Sequence, residues 1–394
     1  MKPTQLFFLL MPLVALVCGP ALAVESQTKV PVQAKVSWVK AGQLPAPKGF
    51  NQSIGIAGAY SAFVGDYLVV AGGANFPKGH PFFDKGVKQY YSDIFVFDTA
   101  NNQFELVAHG HLPSARGHGA TVVVGNSLYL VGGKNNDQAF DSILKLTLDD
   151  NSQPVVNAVN QLPFTWDSGA AAWQDDSLFL FAGKHNGVVS NAVCQFSLKQ
   201  QKCINKDKIA PIPGLARADF PSIKHHKQFY VFGGANVLAG KGRYVLTDAY
   251  AFDFEALSWR TLTPITVKDQ PYSVAGGGVA VINDEQFILL GGVNRQVFND
   301  AIFQLTTSAQ DRLSKFKQYY FSLNEQEVNF SRQQLIYDLN KDNWSTLSKE
   351  VPFTGGAGPL AISQKENQIY WISGEIRPVI RTPNVYQATI EPVQ

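Results

Sequence analysis

"GHGATVVVGNSLYLVGG", residues 117–133, holds two short apolar runs joined by a polar Gly-Asn turn and stopped by a pair of glycines. Alternation in the first run and continuity in the second fit two paired strands, the second buried on both faces. The ending recurs: "YLVVAGG" stops at Gly73, "LYLVGG" at Gly133, "LFLFAG" at Gly183, "FYVFGG" at Gly234, "FILLGG" at Gly292 and "IYWISG" at Gly374. After each comes a third strand: "DIFVFD", "SILKLTL", "NAVCQFSL", "DAYAFDF", "QQLIYDL" and "NVYQATI". Most copies add a fourth, Trp-centred around Trp259 and Trp344.

Four short strands repeated about every 50 residues, with glycines after the second, describe a kelch blade. The glycines let the backbone turn where blades converge, with no Cβ in the way. Six copies predict an all-β protein, a six-bladed β-propeller. The sixth copy ends at "NVYQATIEPVQ" without a fourth strand, while "VSWVKAGQLP" near the N-terminus offers a spare one containing Trp38. The N-terminal strand is therefore expected to complete the last blade, leaving no open sheet edge. The long interval between the last two anchors predicts a partly helical insertion between blades five and six, centred on residues 311–333. A second insertion, "ANFPKGHPFFDKGVKQYYSD", follows Gly73, and both are expected over one face of the ring.

Residues 1–23 read as a signal peptide: Lys2, an apolar run from Leu6 to Val17, and Ala21-Leu22-Ala23 as the cleavage site. The run is short and broken by Pro12, which argues against a membrane span. Val17 suits a lipoprotein cysteine at Cys18 poorly. The expectation is one propeller over 24–394, periplasmic or secreted. A net charge of +2 with scattered Lys and Arg argues against a nucleic-acid partner. Cys194 and Cys203 flank a polar turn, as either a cross-hairpin disulfide or two free thiols. Neither reading favours a metal site.

In a chain with 16% charged residues, "GEIRPVIR" crowds Glu375, Arg377 and Arg381 at the mouth of the last apolar strand. Glu375 follows the glycine anchor, where the other blades carry Ala74, Lys134, Lys184, Ala235 and Val293. That slot faces the axial opening. A carboxylate there can take and return a proton. Arg381, beyond the loop shaped by Pro378, could reach back to hold a substrate carboxylate bidentately. The bland alternative is a surface ion pair. Asn75, Asn294 and Arg295 also follow anchors and are expected at the mouth. Lys88, Tyr90 and Tyr91 lie in the first insertion, and His118 opens an innermost strand; each could equally be structural.

"GEIRPVIRT", "GGVNRQVFND" and "AGGANFPKGHPFFDKGVKQYYSDIFVFD" closely resemble the N-acetylneuraminate epimerase family, in the rotated order of its cyclically permuted mutarotase group. A closed ring tolerates such rotation, because only the chain break moves. The resemblance implies a cofactor-free enzyme that interconverts the α and β anomers of N-acetylneuraminic acid, with no metal. It places the catalytic carboxylate on Glu375 and the carboxylate-binding arginine on Arg381. Arg116, in "SARGHGA", matches the family's axial "GRA" and is expected to help bind substrate. The chain departs from the family at Arg377, where a lysine is usual, and in the fifth-blade insertion. A secreted propeller that binds acidic glycans without catalysis, or a mutarotase for another sugar, remains open at this point.

Overall fold

In a computed structural model, residues 34–238, 242–363 and 365–392 are described. The expected signal peptide lies outside them. Six antiparallel sheets, five of four strands and one of five in blade three, form the blades of a β-propeller. Blade one uses Tyr60–Val64, Tyr67–Ala71, Asp93–Asp98 and Glu105–His111. Blade two repeats the order in Ala120–Val124, Ser127–Val131, Ser142–Leu148 and Pro154–Gln161. Blades three to five follow in sequence, and Leu360–Ser363 and Gln368–Ile372 begin blade six.

Closure is the one expected. Ala34–Gln43 pairs antiparallel with Asn384–Pro392, with Val36 opposite Ile390 and Trp38 opposite Ala388. The Trp38 indole N–H donates to Gln334 Oε1 at 2.9 Å, tying the last blade to the fifth. Residues 34–43 and 384–392 thus share one sheet, and the N-terminal strand takes its outermost place and completes the four strands.

The core is a set of wedges, one between each pair of neighbouring blades. Tyr60, Val69, Leu128 and Leu144 fill the first, and Ile288, Ile336, Ile369 and Trp371 fill that between blades five and six. A strand covered on both faces must be apolar throughout, which is why the second strands read as unbroken runs. The glycine anchors answer the crowding. At Gly133, φ is +93° and a Cβ would meet the Tyr60 hydroxyl at 2.0 Å.

Around the axis the six blades are joined by a ring of main-chain hydrogen bonds. Gly58, His118, Ser168, Asp219, Gly276 and Ala357 all lie in the left-handed region, with φ between +53° and +73°. Each of the last five donates its N–H to the carbonyl of the residue before it in this series, and Gly58 donates to Ala357, at 2.6–3.0 Å. The six bonds form a closed ring. Beside it, Ala74, Lys134, Ala235 and Glu375 bridge to Ala57, Gly117, Ala218 and Gly356, so the anchor slot does lie next to the axis.

The helical insertion sits inside blade five, not between blades five and six. Helices α1 (Arg295–Thr307), α2 (Gln310–Ser322) and α3 (Glu325–Val328) all precede Leu335–Asp338, which returns to pair with Gln286–Leu290. The physical reason is that the chain leaves the sheet at the Gly292 anchor and must come back to finish it. Helix α1 begins directly after that anchor because the Asn294 side chain caps it, accepting the Val297 N–H at 3.0 Å. Both insertions meet: the rings of His80 and Phe321 lie 5.0 Å apart, and Phe82 packs 5.8 Å from Phe321. Cys194 and Cys203 are joined in a disulfide across the outer strands of blade three.

Candidate active site

The residues after the sixth anchor fold back as a small hairpin, Glu375–Arg377 against Ile380–Arg381, that sets Glu375 opposite Arg381. Arg381 Nη2 lies 3.0 Å from Glu375 Oε2, while Glu375 Oε1 accepts the Val379 N–H at 3.1 Å. Both carboxylate oxygens are therefore held as acceptors. Val379 makes this turn at φ +62°, a strained region for a β-branched residue. Glu375 faces an axial cavity of about 400 Å³, whose wall includes His118, Ser168, Asp219, Phe298 and Phe330. The Arg381 side chain is only 6% exposed and lies under the Phe76 ring, 5.2 Å from its centroid. Its Nε and Nη1 are buried without an acceptor. Buried unpaired guanidinium donors are costly, and an anion that reached them would recover that cost.

Above the axial ring stand more charges than the spacing of the sequence foretold. Lys88, from the first insertion, places Nζ 3.2 Å from His118 Nε2 and 4.8 Å from the Tyr90 ring centroid. Burial, Arg381 and Lys134 lower its pKa to about 8, against the opposing pull of Glu375 and Asp219. Burial, then the cations Lys88, Lys134, Arg381 and Lys184, holds His118 well below the ordinary histidine range. Its imidazole is neutral near pH 7. Tyr90 is pushed up to about 12 by burial and Asp167, so it stays a neutral hydroxyl. Lys134 is committed elsewhere, 2.7 Å from the buried Asp167 carboxylate, which also accepts from Ser168 Oγ. The net character is cationic and partly shielded from water, a suitable environment for an anionic ligand.

Of the six residues expected to form the site, the fold brings together Glu375 and Arg381. Asn75 is buried; its Nδ2 donates to the Gly55 carbonyl at 2.7 Å and its Oδ1 accepts from the Tyr91 hydroxyl. Asn135 and Asn236 make the same donation to Ala115 and Ala216, each 20 residues upstream, so this contact is part of the blade repeat. Arg116 lies between blades, bonded to Ser114 and Ser142 and stacked 3.9 Å from the Phe140 centroid. Arg217 holds the corresponding position two blades on, 2.8 Å from Asp248. Asn294 and Arg295 line a different and larger cavity of about 1330 Å³, on the flank beside α3, together with Arg332 and Arg377.

Of the residues missed by sequence reading, Ser168 and Asp219 are members of the axial ring one blade apart, and Asp167 directly precedes Ser168. Their signal was positional: Ser168 and Asp219 precede innermost strands in the same phase as His118. On the outer edge of blade one, Asp93, His109 and His111 bring ligand-type atoms within 4.8 Å of one another, a cluster that the histidine spacing did not suggest. There the buried Asp93 carboxylate takes the His109 ring nitrogen at 2.9 Å.

The family model for N-acetylneuraminate epimerase matches residues 16–155 and 158–394. The chain is similar to the N-acetylneuraminate epimerase of Yersinia pestis, 29% identical over 58% of this chain and 57% of that protein. It is likewise 29% identical to the one of Yersinia enterocolitica, over 60% of this chain and 59% of that one. The Escherichia coli enzyme is 27% identical over 58% of this chain and 59% of its own length. These alignments span less than two thirds of each relative. Because the family model covers almost the whole length, the chain belongs to the N-acetylneuraminate epimerase family.

Proposed function

We propose that the protein is an exported mutarotase that interconverts the α and β anomers of N-acetylneuraminic acid. The observation that carries this reading is the Glu375–Arg381 pair beside the axial cavity. This sugar bears a carboxylate on its anomeric carbon, so an arginine that grips the carboxylate puts the reacting carbon next to Glu375. Arg381 has two buried donors without acceptors to offer such a group. Glu375, an acceptor on both oxygens, takes the proton of the anomeric hydroxyl. The ring carbon–oxygen bond then opens to a ketone, the chain rotates, and closure on the other face gives the second anomer. Phe76 covers Arg381, so binding requires the first insertion to yield. The disulfide supports an oxidising compartment, in keeping with the signal pattern at the N-terminus. Among the described residues no helix is long and apolar enough to cross a membrane.

The test is NMR of freshly released α-N-acetylneuraminic acid, following decay of the α signal with wild type and with Glu375→Gln. Acceleration by wild type alone supports the reading. An unchanged spontaneous rate, with the sugar still bound, would leave a sialic acid receptor instead.

A further inference from the structure

We infer that Lys88 is the proton donor to the ring oxygen, acting opposite Glu375 and steadied by His118. The inference rests on the mutarotase reading and deepens it. Mutarotation needs two proton transfers, one from the anomeric hydroxyl and one to the ring oxygen. Glu375 cannot readily supply both, because the Val379 N–H and the Arg381 guanidinium hold both its oxygens as acceptors. A second group that can donate is required.

Lys88 is placed for it. Its strand neighbours Gln89–Tyr90 pair with Ala74–Asn75, beside the first anchor, and Asn136 Nδ2 donates to the Lys88 carbonyl at 2.6 Å. The side chain ends 3.2 Å from Nε2 of His118, a member of the axial ring and part of the cavity wall. The neutral imidazole accepts there, which leaves its hydrogen on Nδ1. A neutral acceptor holds the ammonium without neutralising it. Lys134 differs, being paired directly to a buried carboxylate. The charged and titratable groups facing Lys88 are Arg381, Lys134 and His118, with Glu375, Asp219 and Tyr90. Together with burial they bring it to about 8, where an ammonium donates far more readily than a free lysine.

The proton balance closes. On opening, the Lys88 ammonium gives a proton to the ring oxygen, which takes the electron pair of the breaking carbon–oxygen bond. Glu375 takes the anomeric hydroxyl proton, whose bonding pair becomes part of the carbonyl. On closure the attacking hydroxyl returns its proton to the Lys88 amine, and Glu375 returns its own to the carbonyl oxygen. No other reagent is consumed.

The test measures kcat and KM for α-anomer decay between pH 6 and 9.5, with the spontaneous rate subtracted, for wild type, Lys88→Met, Lys88→Arg and Glu375→Gln. The expected result is a kcat about 100-fold lower or worse in Lys88→Met, with KM within a few fold of wild type. Wild-type kcat should fall above about pH 8, and Lys88→Arg should lose kcat as Lys88→Met does, because arginine does not give up its proton. Lys88→Arg keeps the charge, so a KM near that of wild type in this variant guards against a loss that merely reflects misfolding. His118→Gln, which retains an acceptor, should preserve more kcat than His118→Ala. If Lys88→Met raises KM but leaves kcat within threefold of wild type, while Glu375→Gln is inactive, Lys88 is a binding residue and the inference fails alone. If wild type itself does not speed equilibration, the mutarotase reading falls and takes the inference with it.

Discussion

The imidazole of His118 occupies the space that a side chain on Gly58 would need. A Cβ built on Gly58 would lie 2.6 Å from both Nδ1 and Cε1 of that ring, and Gly58 itself has a φ of +67°. The two residues are successive members of the axial hydrogen-bond ring, His118 N–H donating to the Gly58 carbonyl at 2.7 Å. Absence of a side chain in one blade thus makes room for a side chain of the cavity wall in the next. Gly58→Ala is expected to cost about 1–3 kcal/mol through left-handed strain and contact, read as a lower urea midpoint. It should also slow anomer exchange by moving His118 away from Lys88. A midpoint and rate equal to wild type would show that the ring tolerates the methyl.

Stability should fall on mild acidification, in part through His118. Its folded-state pKa lies well below the unfolded value of 6.5, chiefly from burial and then from Lys88 and Lys134. Above pH 6.5 neither state is charged there, and the contribution to stability is fully present. As pH drops below 6.5 the unfolded chain binds the proton first, so stability declines until the folded-state value is passed. His80 and His185 are displaced in the same direction and contribute to the same slope. Urea melts from pH 7.5 to 5 should therefore show a shallower slope for His118→Asn than for wild type. Parallel slopes would contradict a neutral His118.

Arg381→Lys should leave the fold intact and weaken capture of an acidic sugar. Lysine keeps a charge but loses the planar fork that offers paired donors to a carboxylate. Losing a charge-assisted hydrogen bond costs about 1.5–3 kcal/mol, which corresponds to a KM rise of roughly 10- to 100-fold. Steady-state kinetics would decide. An unaltered KM would place the substrate carboxylate elsewhere.

Asn75→Ala is expected to lower stability and leave KM untouched. The change strips the Gly55 carbonyl and the Tyr91 hydroxyl of their partner in a fully buried setting, at a cost of about 2–3 kcal/mol. Asn236→Ala, which removes the equivalent contact in blade four, should behave alike. A selective rise in KM for Asn75→Ala would restore it to the binding site.

The sequence by itself settled the architecture. Six apolar runs ending in glycine, each followed by another strand, admit few folds, because local patterning and turn chemistry are properties of adjacent residues. The spare Trp38 strand, the closure of the last blade and the Glu375–Arg381 pairing were legible for the same reason. All three depend on phase within a repeat or on a hairpin seven residues long. What the tertiary structure alone decided was which polar residues meet. Asn75 was expected at the mouth because it follows an anchor and Arg116 from the family resemblance, yet packing commits both to structural contacts repeated in other blades. Asn294 was drawn into capping α1, and the insertion proved to belong inside blade five. Lys88, His118, Lys134, Asp167 and Asp219 come from three different blades and an insertion. Their approach is set by closure of the ring, a long-range constraint that no local window of sequence contains.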